Sequence, residues 1–410
     1  MKRHILILSA LMATMSAGAQ RLVGGDMSLL PSYEAAGVAY FSQDGTPVSD
    51  VIDYVAGSEV GWNAVRLRLF VNPENATAQQ KGEGVWQDIS YILPLAQRVK
   101  AAGMKLLIDF HYSDSWADPA QQTKPKAWQS LSDDELAAKV YDYTAASLRS
   151  LTEAEATPDY VQIGNEISFG MLWPTAKVDA WHDTNWSQLA DLLNSGAKAC
   201  REICPQAKII IHTEQAGDTE TTVNYYKRLA AEGIDYDIIG LSYYPFWHKA
   251  LSQLSTTLDR LAADFPDREV QIVETAYYYQ WPPSSGYDSQ SATWPATPEG
   301  QQQYAEALAG QLKKHSNVTA LYWWFPEENG HQNSVISNWI NRGLWDNNTG
   351  KALPALYVLK GFLDDADGIT PATVTKDNRH TDRYSLSGQA VSSTTPTPIS
   401  IIDGRKVLKK

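Results

Sequence analysis

The sequence predicts a (β/α)8 barrel of the TIM type with a short C-terminal tail, and three observations point to it. Short β-rich apolar runs recur eight times, each followed by a loop and a stretch of helical periodicity, the pattern of repeated βα units. At 410 residues the chain has room for one large barrel-type domain with appendages. The first of these runs, Gly37-Val38-Ala39-Tyr40-Phe41, is not followed by the Gly-rich phosphate loop that a doubly wound open sheet would place there.

At the N-terminus, Met1-Lys2-Arg3-His4 is a basic start, Ile5 to Met15 a short apolar run, and Ala17-Gly18-Ala19 a set of small residues at cleavage-site spacing. Residues 1–19 therefore read as a secretory signal peptide. The run falls short of the ~20 residues a bilayer span takes, and no cysteine follows it for lipid attachment. The expected destination is the periplasm, cell surface or medium of a bacterium, without stable membrane insertion.

The barrel is expected over residues 20–366. Its strands are read at Ala36–Tyr40, Ala64–Phe70, Lys105–Phe110, Tyr160–Gly164, Lys208–His212, Ile238–Leu241, Val270–Val273 and Ala320–Trp324. Helical stretches include Asp88–Ala102, Ser132–Ser150, Ser187–Ile203, Leu251–Asp264, Pro298–His315 and Ala355–Leu363. Cys200 and Cys204 sit four apart in one of them. A regular helix holds such side chains too far apart for a disulfide, although a frayed last turn would close one, and the segment has no His or further Cys for a metal.

Beyond Asp364 the composition turns to Thr, Ser and Pro, which places the tail at residues 367–410. Tyr384-Ser385-Leu386-Ser387-Gly388-Gln389, a Ser/Thr/Pro spacer and Ile401-Ile402-Asp403-Gly404-Arg405-Lys406-Val407 resemble a truncated C-terminal sorting domain of Bacteroidetes secretion systems. A flexible tail or short β-hairpin with no address function fits the same residues.

Composition narrows the partners. With 34 Lys+Arg against 47 Asp+Glu, the formal charge is −13, and no stretch larger than the short C-terminal Lys/Arg cluster offers the basic footprint a nucleic acid needs. The 14 Trp and 21 Tyr, against 8 Phe, favour surfaces that are partly apolar and partly wet.

Barrel active sites lie at the C-terminal ends of the strands. Val161-Gln162-Ile163-Gly164-Asn165-Glu166 follows the fourth strand and Gln271-Ile272-Val273-Glu274-Thr275 the seventh. These strands lie nearly opposite each other around an eight-stranded ring, so the two carboxylates can converge across its mouth. Glycoside hydrolysis needs such a pair, one acid to protonate the leaving oxygen and one carboxylate to attack or activate water. Two unrelated buried ion pairs are the plainer alternative. Arg66 and Arg68, two apart, share a face of the second strand, and a cation beside Glu274 would keep it ionised. Arg68, nearer the strand end, is the expected functional one.

The chain resembles clan A glycoside hydrolases and, within them, the endo-β-1,4-galactanases of glycoside hydrolase family 53. The resemblance runs from about Gly37 to Asp364. It is carried by Asn63-Ala64-Val65-Arg66-Leu67-Arg68-Leu69-Phe70-Val71-Asn72-Pro73, Leu107-Ile108-Asp109-Phe110-His111-Tyr112-Ser113-Asp114-Ser115-Trp116-Ala117-Asp118-Pro119, Gln162 to Glu166, Asp237-Ile238-Ile239-Gly240-Leu241-Ser242-Tyr243-Tyr244-Pro245 and Val273-Glu274-Thr275-Ala276-Tyr277.

It implies a retaining endo-acting hydrolase of β-1,4-galactan, with Glu166 as acid/base, Glu274 as nucleophile and Asn165 on the neighbouring hydroxyl. By the same resemblance Tyr243 donates to Glu274, with Tyr244 as its competitor. His111 and Asp114 look like sugar-hydroxyl ligands, or His111 a structural histidine, and Asp109 an internal hydrogen-bonding residue. Trp247 and Tyr277, among other loop aromatics, are expected to line the cleft, with Trp324 at its floor. A mannanase, cellulase or xylanase of the same clan, or a non-catalytic glycan-binding barrel, are the rival readings.

Many members of the family carry an acidic calcium loop after the seventh strand. Tyr279-Gln280-Trp281-Pro282-Pro283-Ser284-Ser285-Gly286-Tyr287-Asp288 lacks its ligand spacing, so no calcium or other cofactor is expected there. Glu327, Glu328, His331 and Asn333 remain as another place for a cation, or as exposed loop residues. The polysaccharide is the expected partner of a monomer.

Overall fold

The structure, a computed structural model, describes residues 20–179, 183–281 and 293–363, together with the backbone of four short strands between Arg383 and Leu408. The expected signal peptide and most of the expected calcium-loop segment, from Pro282 onward, lie outside the described residues.

Eight parallel strands close into a barrel: β1 (Leu22–Asp26), β2 (Ala64–Leu69), β3 (Lys105–Phe110), β4 (Tyr160–Ile163), β5 (Lys208–Thr213), β6 (Ile238–Ser242), β7 (Glu269–Thr275) and β8 (Val318–Trp324). Each pairs with its neighbours in sequence, and β1 closes the ring on β8. Helices follow the strands in turn: α1 (Val51–Ala56), α2 (Ile89–Ala101), α3 (Asp133–Glu153), α4 (Trp186–Ile203), α5 (Thr219–Ala231), α6 (Leu251–Asp264), α7 (Pro298–Leu312) and α8 (Pro354–Val358). Local chemistry starts them. Ser132 and Glu135 form a reciprocal capping box on α3, while Thr297 caps α7 ahead of Pro298 in its first turn.

Seven strands lie where the sequence places them, and the first does not. Ala36–Tyr40 leaves a short helix, Leu30–Ala35, and only Tyr40–Phe41 is extended, pairing with Pro47–Val48 outside the barrel. The true β1 reads Leu-Val-Gly-Gly-Asp, and its two glycines weaken the strand signal. They are there for close approach. A Cβ at Gly24 would lie 1.9 Å from the Ala64 carbonyl oxygen, and one at Gly25 would lie 2.4 Å from Pro326.

Strand residues alternate between the barrel interior and the helix layer. Leu22, Ala64, Leu107, Ile210, Ile238, Val273, Ala320 and Tyr322, joined by Tyr160, form an apolar interior cluster fed by every strand. Ile239, Leu241 and Tyr243 of the β6 segment instead join the larger cluster under the helices.

Cys200 and Cys204 are buried free thiols at the end of α4, and burial pushes the Cys200 thiol up to about 12. No helix among the described residues is long and apolar enough to cross a membrane. The chain divides after Asp364. In the second unit Arg383–Tyr384, Ala390–Val391, Ile399–Ile402 and Arg405–Leu408 form an antiparallel sheet, the last two strands as a hairpin.

Candidate active site

Above the apolar cluster the same inward positions turn polar. Arg66 and Arg68 project from β2 into the barrel with no exposure, and two buried guanidiniums need counter-charges. Asp26 of β1 serves both, with Oδ2 2.7 Å from Arg66 Nη1 and Oδ1 3.0 Å from Arg68 Nη1. Burial acts to raise the Asp26 carboxyl, but the two arginines outweigh it and hold the group below its usual range. Arg66 Nη2 lies 2.8 Å from Asp109 Oδ2, 3.0 Å from Asn165 Oδ1 and 2.9 Å from Glu274 Oε1.

Glu274 reaches this layer through an irregularity. Val273 already points inward, so strict alternation would send Glu274 to the helices, but the β7 register shifts on both sides, between Ile272 and Thr275 towards β8 and opposite Leu241 and Ser242 of β6. The side chain thus gains two donors to its anion, Arg66 and the Tyr244 hydroxyl, which donates to Oε2 at 2.9 Å.

Glu166 follows β4 with its backbone in the left-handed region, φ +48°, a conformation that costs a non-glycine residue roughly 1–3 kcal/mol. Its N–H donates to His212 Nδ1 at 3.3 Å, and its Oε1 accepts from Ser242 Oγ at 2.7 Å. His212 Nε2 lies 2.8 Å from the same Ser242 Oγ. Burial and the nearby Arg66 push His212 well below its ordinary range, so the ring is neutral.

Burial raises both carboxyls, but they are not equivalent. Glu274 has a guanidinium and a phenol to hold its charge. Glu166, raised well above its usual range by burial and by the charges of Glu274 and Glu214, has only a serine hydroxyl to oppose the rise. The pair's proton therefore sits on Glu166 while Glu274 is ionised.

Both line one cleft of about 380 Å³, of the size that takes a small ligand. Its walls carry Trp116, Trp247, Trp324, Trp339 and Tyr244, with Trp247 and Trp339 exposed, and amphipathic rings of this kind pack on the C–H faces of sugars. A protonated acid and an ionised carboxylate sharing an aromatic cleft can protonate a leaving oxygen and attack the carbon it leaves.

Comparison with known proteins places this site in a family. The family model for glycosyl hydrolase family 53 matches residues 22–359. The chain belongs to glycosyl hydrolase family 53. Among its relatives is an arabinogalactan endo-β-1,4-galactanase of Thermothelomyces thermophilus, 34% identical over 314 residues that cover 74% of this chain and 88% of that one. Among solved structures, the family 53 catalytic domain from Ignisphaera aggregans superposes with a TM-score of 0.75 at 31% identity, covering 84% of this chain and 96% of its own. A structure from a study of two fungal β-1,4-galactanases does so at 0.73 and 33% identity, covering 83% and 99%.

Within this family 53 site the structure corrects several expected residues. Arg66, not Arg68, pairs with Glu274. Arg68 sits further along β2, bound sideways to Asp26, with Trp116 and Phe325 ring centroids 4.9 and 4.4 Å from its guanidinium. Tyr244, not Tyr243, donates to Glu274. Tyr243 follows inward-facing Ser242 and so turns out to the helix layer, where its hydroxyl donates to the Lys249 carbonyl.

Asp114 does not line the cleft. It ties two loops together through Asn75 Nδ2 and the Lys126 N–H. His111 lines the cleft, but its Nε2 lies 3.0 Å from Asp109 Oδ2 and its Nδ1 accepts from the Ala117 N–H, so neither nitrogen is free for a sugar. Tyr277 is core, stacked on Tyr304 with centroids 4.7 Å apart and donating to the Trp294 carbonyl.

Asn165, Trp247 and Trp324 line the cleft. Asn165 spends one amide hydrogen on the Ala117 carbonyl and keeps a second for a ligand. Glu327 and Glu328 are buried rather than exposed, accepting the backbone N–H groups of Leu29, Asn341 and Gly343. Among the described residues no group of three or more His, Cys, Asp or Glu is placed to hold a metal ion.

Sequence reading missed Asp26, His212, Ser242, Glu214 and Arg342. For His212 and Ser242 a signal existed, since each stands an even number of residues from an apolar interior position on its own strand, and Glu214, just past the end of β5, continues that spacing.

Proposed function

We propose that this protein hydrolyses internal β-1,4-galactosidic bonds of galactan, the galactose chain of type I arabinogalactan, by a retaining double displacement. Glu166 protonates the leaving oxygen while Glu274 attacks the anomeric carbon, and Glu166 then deprotonates the water that releases the glycosyl enzyme. One observation carries the reading: of the carboxylates that line the cleft, Glu166 and Glu274 follow opposite strands, and among the described residues only Glu274 is paired with a cation. The galactan substrate is supported by the relatives at about a third identity that bear that name. We further propose that the enzyme is exported after loss of residues 1–19 and acts as a monomer without a metal or cofactor.

The test is a product time course on β-1,4-galactan beside mannan, xylan and a soluble cellulose derivative, with the anomer of the first product followed by NMR. Oligosaccharides appearing early from galactan alone, with β configuration, are the expected result. Early products from another polymer would discard the galactan assignment and keep the carboxylates. An initial α anomer would discard the double displacement, and silence on all four polymers would favour a glycan-binding barrel.

A further inference from the structure

Among the described residues Arg342 is the one arginine or lysine that lines the cleft, and the proposed chemistry leaves it without a task. It is 1% exposed, and among the described residues no carboxylate lies within ion-pair distance of it, although its charge acts on the buried Glu328. Four aromatic rings surround the guanidinium instead, with centroids at 4.3 Å (Trp324), 4.9 Å (Trp339), 5.6 Å (Tyr278) and 5.9 Å (Tyr244). Rings take the flat face of a guanidinium, while its N–H groups point outward in its own plane and need oxygen acceptors. Neither Nε nor Nη2 has one. A buried cation with unserved donors is a costly arrangement to keep.

The fold nonetheless holds it firmly. Glu328 Oε2 accepts the N–H groups of Asn341 and Gly343, on either side of Arg342, at 2.9 and 3.1 Å, and Trp323 Nε1 donates to the Arg342 carbonyl at 2.7 Å. A Cβ at residue 343 would lie 2.2 Å from the Glu328 carbonyl oxygen, so the clamp requires glycine there. This is a donor set fixed in place before any ligand arrives.

We propose that Arg342 is a substrate-binding residue whose guanidinium donates hydrogen bonds to hydroxyl or ring oxygens of the sugars on the glycone side of the cleaved bond, and so sets affinity there. The side follows from its neighbours. Arg342 shares Tyr244 with Glu274, which attacks the glycone, and it lies over Trp324 rather than beside Glu166. The proposal rests on the roles given above to the two carboxylates.

The test is calorimetric titration of β-1,4-galactotetraose into the Glu274→Gln protein and into the same protein also carrying Arg342→Met or Arg342→Gln, with thermal unfolding measured in parallel. Arg342→Met should weaken binding about 10- to 100-fold, the scale of hydrogen bonds from a charged donor, and Arg342→Gln less, since it keeps one donor group. Neither should lower the unfolding temperature, because the change removes an unpaired buried charge. In the otherwise wild-type enzyme, KM on the polymer should rise more than kcat falls.

Affinity within about twofold of the Glu274→Gln protein in either folded variant would overturn the proposal. Should the Glu274→Gln protein ignore galactotetraose but bind the corresponding mannan, xylan or cellulose tetrasaccharide, the galactan assignment falls, and the same comparison on the bound sugar still decides Arg342. Binding to none of the four overturns both.

Discussion

Inside the barrel, two layers share the inward strand positions and have opposite chemistry. The lower is closed and apolar, with Leu22, Ala64, Leu107, Ile210 and Ile238 among its members. The upper, one or two inward positions further along the same strands, holds Asp26, Arg66, Arg68, Asp109, His212 and Ser242, all without exposure. The lower layer gains free energy by leaving water. The upper gives some of it up to hold charges in a fixed arrangement, and only mutual pairing makes that tolerable. Stability and chemistry are thus divided along one axis, and the division can be tested by changing each layer in turn.

The largest effect is expected from Glu274→Ala in the upper layer. Turnover on every substrate should fall on the order of 10⁴-fold or more while the protein stays folded, measured by reducing-end release and by thermal unfolding. Activity within tenfold of wild type would remove Glu274 from the nucleophile role. Next comes Glu166→Ala, expected to slow polymer cleavage about 10²- to 10⁴-fold yet largely spare formation of the glycosyl enzyme from activated aryl glycosides, whose leaving group needs no proton. Equal losses on both substrates would contradict its role as the acid.

In the lower layer the readout should reverse. Leu107→Ala is expected to destabilise by about 2–5 kcal/mol in chemical denaturation, with kcat near wild type at temperatures where the protein is folded. A large loss of kcat with unchanged stability would break the division outright.

The smallest effect concerns pH. Burial raises Glu327 to about 8 and Glu328 and Glu214 to about 7, so each binds more protons folded than unfolded between pH 4.5 and those values. Their contribution to stability is therefore lost as pH rises. The buried His212 and His248, the latter lowered to about 4, act in the opposite direction, but only below their unfolded value of 6.5. Thermal stability should accordingly fall between pH 6.5 and 8, and Glu327→Gln should flatten that slope. A rise over this interval in the wild-type protein would contradict the charge pattern of the mouth.

Much of the molecule was legible in the sequence because it follows from local periodicity. Eight βα units, seven strand positions and the caps at Ser132 and Thr297 are written in runs of a few residues. Glu166 and Glu274 were singled out because each follows an apolar run, where a barrel exposes its strand tips, and Trp324 by the resemblance to the clan. Alternation also offered Tyr244 in place of Tyr243, since Tyr244 shares a face with Ser242 and Ile238.

Other features depended on closure of the ring. A strand as weak as Leu-Val-Gly-Gly-Asp is held by its two neighbours, and its glycines make sense only against Ala64 and Pro326. Which arginine meets Glu274 depends on how far a side chain reaches across the mouth and on the register shift that turns Glu274 inward. Arg342 depends on four rings from three separate stretches of chain. The sequence by itself determined seven of the strands, the barrel and the placing of two carboxylates at strand ends, because those signals are local. Only the tertiary structure decided the partners that leave one carboxyl protonated and the other ionised, because pairing between buried charges is set by distances across the fold.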